Sequence, residues 1–191
     1  MRARDVMTTN VITVTSRPRV DEIARLLLKR RISAVPVVGE DGAIVGIVSE
    51  ADMLRRPEIE TERHRPWWLM HLARREEIAE EYVKTHGTRA EDVMTRNVIT
   101  VREDTTLGEI AHLLEVKRIK RVPVVRDGKI VGIVSRANLL HGLAARKQGT
   151  AATASADDHT IRQQITDIIE RQGWLTHGGL NVIVTDGVVE I

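Results

Sequence analysis

The chain has 191 residues, 42% apolar and 29% charged, which suffices for one large or two small domains with a real core. It has no cysteine, which excludes disulfide frameworks, thiolate metal sites and cysteine nucleophiles, and its 29 basic and 27 acidic residues nearly cancel, which argues against nucleic acid as a partner. Neither a signal-peptide run nor an apolar stretch of ~18 residues occurs, so a soluble, cytoplasmic protein is expected.

In chain order, residues 1–56 begin with VITV (Val11–Val14), a β-branched run that predicts a strand. VDEIARLLLKRR follows, with Val20, Ile23, Ala24, Leu27 and Leu28 on one helical face and acids at its start. VPVV predicts a buried strand whose Pro36 suits a beginning or an edge. Asp41-Gly42 then marks a hairpin turn into IVGIVS, and a second helix starts after Ser49. Residues 57–88 form a charged insert in which Pro66, Leu69, Leu72, Ile78 and Tyr82 predict a helix ending near Gly87. The same insert carries Trp67 and Trp68, which need cover from the protein's own flank or a partner.

The next stretch, residues 89–145, repeats the first. Arg2–Thr15 and Arg89–Arg102 are identical at 11 of 14 positions, and RISAVPVV and DGAIVGIVSEADML return as RIKRVPVV and DGKIVGIVSRANLL. Residues 146–157 are small and polar and read as a linker. Residues 158–191 give a helix through Ile161, Ile165, Ile168 and Ile169, then a hairpin around Asp186-Gly187. All four aromatics (Trp67, Trp68, Tyr82 and Trp174) lie outside the repeats, so the repeated core is aliphatic.

The doubled VMT..VITV, VPVV and GIVSxAxxL motifs resemble the CBS-domain pair, or Bateman module. The resemblance implies an α+β fold of two β-α-β-β-α units packed about a pseudo-twofold axis, with clefts for adenosine nucleotides between them and a homodimer. Residues 158–191 resemble the first half of a BON domain, a small α/β module associated with membrane or lipid attachment, which makes membrane association through this tail a possible second role.

Ser49-Glu-Ala-Asp52 opens a helix directly after a strand. The plain reading of this pattern is a helix cap. The same carboxylate, one turn into the helix, can also accept hydrogen bonds from both hydroxyls of a ribose. By resemblance these two positions hold the ribose. In the second copy they are Ser135 and Asn138, and an amide cannot supply the charged pair, so the two sites are expected to be unequal. By the same resemblance Ile32, Ser33, Ala34 and Pro36 line the first cleft, and Lys120, Arg121, Val122 and Pro123 line the second. Lys120 and Arg121 are candidate phosphate contacts or, alternatively, the basic end of a solvated helix. Thr8, Val11, Ile12 and Thr13 from one opening, and Val98, Ile99 and Thr100 from the other, complete the walls. No phosphate-binding loop, HExxH, GxSxG or helical His pair occurs, and neither an enzyme nor a metal requirement is expected. The expected function is a regulatory module binding AMP, ATP or NAD and signalling to a partner. The alternative is a docking adaptor acting through the insert and tail.

Overall fold

The computed structural model describes residues 1–54, 83, 86–145, 156–171, 182–185 and 187–190. The predicted insert helix, its tryptophans and Trp174 lie outside these residues. The elements are α1 (Ala3–Val6), α2 (Val20–Arg30), β1 (Ala34–Val38), β2 (Ile44–Ser49), α3 (Glu50–Met53), α4 (Ala90–Val93), α5 (Leu107–Val116), β3 (Arg121–Arg126), β4 (Lys129–Ser135), α6 (Arg136–Ala144), α7 (Ala156–Arg171), β5 (Ile183–Thr185) and β6 (Val188–Glu190). Three antiparallel pairs form, β1–β2, β3–β4 and β5–β6.

VITV is not a strand in either copy. Only Val14 bridges β1, through Val37, and only Val101 bridges β3, through Val124. The cause is proline. Val14 N–H donates to Pro36 O at 3.0 Å and Val38 N–H to Val14 O at 2.8 Å, so the next donor along this ladder is the N–H that Pro36 lacks. Pro123 stops the second ladder in the same way, accepting from Val101 N–H at 3.0 Å. The two Asp-Gly turns form as expected, with Gly42 and Gly128 at φ 79° and 78°.

The chain divides into two compact units, and the division does not follow the repeats. A central unit spans Ile12–Val98, and a terminal unit joins Met1–Val11 to Ile99–Ile191. Each RxxDVMT opening packs with the other copy's strands. In the central unit Thr95 pairs with Ile47; in the terminal unit Thr8 pairs with Ile133. Asp5 and Asp92 turn the openings into the one-turn helices α1 and α4, accepting from the backbone N–H of Arg2 at 2.6 Å and of Arg89 at 2.9 Å.

Both cores are aliphatic. The central one gathers Val20, Ile23, Leu27, Val35, Val37, Val48, Ala90, Val93 and Met94. The terminal one gathers Ala3, Val6, Met7, Ile110, Leu114, Val122, Val124 and Val134 with Ala145 and Ile183. Each fully buried aliphatic side chain contributes about 1.5–3 kcal/mol of transfer free energy. On α2 the buried stripe is Val20, Ile23 and Leu27, with Leu26 packed beside it, while Leu28, expected on that face, is exposed.

The tail helix starts at Ala156, inside the expected linker, with Asp157 and Asp158 in its first turn, where the helix dipole favours acids. It packs Ile169 with Val182 and Val184, and Ile161 and Ile165 lie against them.

In the terminal unit a bidentate ion pair joins Glu103 to Arg126 at 2.6 and 2.7 Å. Hydrogen bonding to Arg126 holds the Glu103 carboxyl below its ordinary range, against the opposing effect of partial burial. A depressed carboxylate stabilises the fold above its unfolded pKa of about 4.3, and that stability is lost as pH falls through the folded value. Glu103→Gln is expected to cost about 1 kcal/mol at neutral pH. The gap to wild type should close below about pH 4 in urea melts, as the wild-type carboxylate protonates.

Candidate functional site

In the central unit, β2 ends at Ser49, which is also the N-cap of α3. Ser49 donates twice to one oxygen of Asp52, from its backbone N–H to Oδ2 at 2.8 Å and from Oγ at 2.7 Å. Oδ1 takes no hydrogen bond among the described residues, and the carboxylate is half-buried. One oxygen therefore holds the cap while the other remains available to a diol. The RISA segment lies alongside, with Ala34 opposite Ser49 in the β1–β2 register and Ser33 O accepting from Glu50 N–H at 3.1 Å. Pro36 is buried opposite Ile47, and Ile12 and Ile32 pack on the same core. Thr13 and Val98 are half-buried in this unit.

The terminal unit repeats the arrangement around Ser135. Asn138 Oδ1 accepts from Ser135 N–H at 2.8 Å and from Ser135 Oγ at 2.6 Å. Arg121 lies opposite Ser135, and Lys120 O accepts from Arg136 N–H at 3.2 Å. Val122 and Pro123 are buried, Lys120 is exposed, and Val11, Ile99 and Thr100 are half-buried.

The two copies differ at the amide. Asn138 Nδ2 donates to Val6 O at 2.9 Å and lies 3.4 Å from Thr8 Oγ1, and the residue is only 5% exposed. Asp52 has no proton to give in this way. In the second copy the amide nitrogen is thus committed to the Val6–Thr8 loop, and in the first copy one carboxylate oxygen has no hydrogen bond among the described residues.

Each opening is split. Thr8 and Val11 fall in the terminal unit, while Ile12 and Thr13 fall in the central one; Val98 is central, and Ile99 and Thr100 are terminal. Thr8 and Val11 thus share a unit with Ser135 and Asn138, and Ile12 and Thr13 share one with Ser49 and Asp52.

Sequence reasoning missed two features. Met94 lies against the Gly46 backbone in the central unit, and Met7 against the Gly132 backbone in the terminal unit. Arg162 on α7 is buried, though charged. Its signal is positional, because it stands three and seven residues before Ile165 and Ile169 on one helical face.

Residues 3–58 and 90–145 each match the family model of the CBS domain, and the chain belongs to that family. An uncharacterized protein of Methanocaldococcus jannaschii is 34% identical over 154 residues, covering 75% of this chain and 91% of that protein. The chloroplastic CBS domain-containing protein CBSX2 of Arabidopsis thaliana is 30% identical over 152 residues, 74% of this chain and 62% of its own length. This chain thus spans less than two thirds of that relative. The crystal structure of CBSX2 in complex with AMP superposes with a TM-score of 0.66 at 29% identity, covering 76% of this chain and 99% of that one. The CBS domain pair of protein MJ0100, in complex with 5′-methylthioadenosine and S-adenosyl-L-methionine, gives 0.59 at 26% identity, covering 77% and 98%. The α+β CBS-pair fold with two CBS units is the fold of this chain, and such pairs are generally regulatory, non-catalytic modules. Among the described residues no helix is long and apolar enough to cross a membrane.

Proposed function

We propose that this chain is an adenosine-nucleotide sensor whose primary site is built on Ser49 and Asp52. The observation that carries this reading is Asp52 Oδ1, which takes no hydrogen bond among the described residues while Oδ2 accepts twice from Ser49. Its support from relatives is chemical: CBSX2 was crystallised with AMP, and the MJ0100 pair with two other adenosine compounds. With no aromatic in the repeats, an adenine ring would rest on Ile12, Ile32, Ala34 and Pro36 rather than on an aromatic stack. Ligand binding would favour one state of the module and pass that preference to a regulated partner.

The second copy, with Thr8, Val11, Ile99, Thr100, Lys120, Arg121, Val122 and Pro123 around Ser135 and Asn138, is the weaker site. Val98 belongs with the first. We also assign the tail, on its helix–hairpin order, to a BON-like half-module, and expect a cytoplasmic homodimer.

A thermal-shift series with AMP, ADP, ATP, NAD, S-adenosylmethionine and 5′-methylthioadenosine tests the reading. A ligand at 100 times its Kd adds about 2.7 kcal/mol of stability. That corresponds to a rise in Tm of several degrees, about 2–4 °C per kcal/mol for a chain of this size. No shift with any of the six would overturn the proposal.

A further inference from the structure

The C-terminal segment meets the Arg4–Met7 backbone through a buried arginine, beside Ile183 in the terminal core. Arg162 on α7 is 7% exposed and spends its guanidinium on three carbonyls: Val182 O at 2.6 Å, Arg4 O at 2.6 Å and Met7 O at 2.5 Å. The first directly precedes the tail's own strand β5. The other two belong to α1 and its C-cap, where a cation meets the negative end of the helix. Among the described residues no carboxylate is hydrogen-bonded to it. Asp5 acts on Arg162 only through space, while burial pulls its pKa down. A desolvated guanidinium with three carbonyl acceptors is a costly arrangement to leave unmade, so docking of the tail and placement of the Arg4–Met7 carbonyls depend on each other.

Thr8 follows Met7 directly. Its backbone exchanges hydrogen bonds with Ile133 at 3.0 Å in both directions, and its hydroxyl faces Asn138 Nδ2. The loop that occupies the Asn138 amide is therefore held from two sides, by Asn138 through Val6 O and Thr8 Oγ1, and by Arg162 through Arg4 O and Met7 O. A loop clamped in this way at the Asn138 amide is the kind of arrangement a built-in lock uses.

We propose that the C-terminal helix–hairpin is an autoinhibitory element for the second nucleotide site, with Arg162 the positioning residue that keeps the Val6–Thr8 loop closed on Asn138. The proposal rests on the sensor reading above. By linkage, whatever releases the tail opens that site, and ligand entering that site loosens the tail by the same factor.

The test uses the full chain with AMP as probe. Asp52→Asn removes the first site, and Arg162→Gln is compared with Arg162 in that background by calorimetry. Release of Asn138 should raise AMP affinity at the second site about tenfold, and Arg162→Lys, which retains the charge but not the three-way geometry, should fall between. Hydrogen exchange should accelerate together at the amides of Met7, Thr8 and Asn138 in Arg162→Gln, while those of the β1–β2 pair stay protected. Arg162→Gln should keep the β3–β4 amides protected, which shows that the terminal unit of the variant is folded, and with Asp52 intact it should still bind AMP at the first site.

Faster exchange with unchanged or weaker second-site affinity would overturn the lock and leave Arg162 a structural clamp, with the sensor reading untouched. Absence of AMP binding in every variant would overturn the lock, and the sensor reading falls with it only if none of the six ligands shifts the melting temperature. AMP binding that appears only when Arg162 is replaced would support the lock.

Discussion

Asp52→Asn is expected to abolish most nucleotide binding at the first site while leaving the fold intact. The second copy shows why this substitution separates the two roles of the residue. Asn138 holds the cap of α6 through Oδ1, with the same two bonds from Ser135 that Asp52 Oδ2 receives from Ser49. An asparagine at position 52 keeps that cap, so the ordinary cost of losing one, about 1 kcal/mol, does not arise. What is lost is the charged acceptor. Hydrogen bonds to a charged group contribute about 1.5–3 kcal/mol net, so affinity for AMP should fall roughly 10- to 150-fold in calorimetry. The melting temperature of the free protein should move by less than about 2 °C, since the backbone bonding is conserved. Asp52→Ala removes the cap as well and should lower both. Equal affinity in wild type and Asp52→Asn would place the ribose elsewhere.

Much of this arrangement could be read from residues. The doubled motif predicted two copies of one α+β unit, and the Asp-Gly pairs predicted both turns. Glu22 and Glu109 fall at N3 of their helices, where each accepts from the N-cap backbone, at 2.8 and 2.9 Å. That the two copies bond differently at this position was legible too, because the Asp-to-Asn exchange changes what each residue can donate. Its physical form was not legible. That Asn138 spends its amide on Val6 and Thr8 depends on a contact 132 residues away in the chain.

The exchange of the two openings could not be read at all, for a reason that lies in the repeat itself. DVMT occurs at Asp5–Thr8 and again at Asp92–Thr95, and GIVS occurs at Gly46–Ser49 and Gly132–Ser135. Every side-chain pattern that lets an opening pack against its own copy lets it pack equally against the other. Local periodicity carries no information about which choice is made. The tail raised the opposite difficulty. An arginine in an apolar stripe ordinarily marks the stripe's edge, and only the carbonyls of Arg4, Met7 and Val182 explain a buried one.

The glycines of the two GIVS motifs turn that ambiguity into a measurable choice. A Cβ at Gly132 would stand 2.8 Å from Met7 Cγ and 3.2 Å from Met7 Cβ; at Gly46 it would stand 2.8 Å from Met94 Cγ and 3.1 Å from Met94 Cβ. Both methionines are buried, at 5% and 4% exposure, so neither side chain has open space into which to withdraw. Gly132→Ala should therefore cost about 1–3 kcal/mol, as overpacked cores do, and Gly132→Val more. Shortening the residue that is struck should relieve the strain, and its identity reports the pairing. Met7→Ala alone costs about 2–5 kcal/mol through the cavity it leaves. Combined with Gly132→Ala it should be less destabilising than the sum of the two, by a coupling of about 1–2 kcal/mol in a double-mutant cycle from urea melts. Met94→Ala with Gly132→Ala should be additive, because those residues share no contact within a unit. The mirrored pair, Met94→Ala with Gly46→Ala, should couple. Packing of each opening on its own copy would reverse the pattern, with Met7 coupling to Gly46 and Met94 to Gly132. The same four positions thus decide whether Thr8 serves the Asn138 site, on which the lock by Arg162 depends, or the Asp52 site.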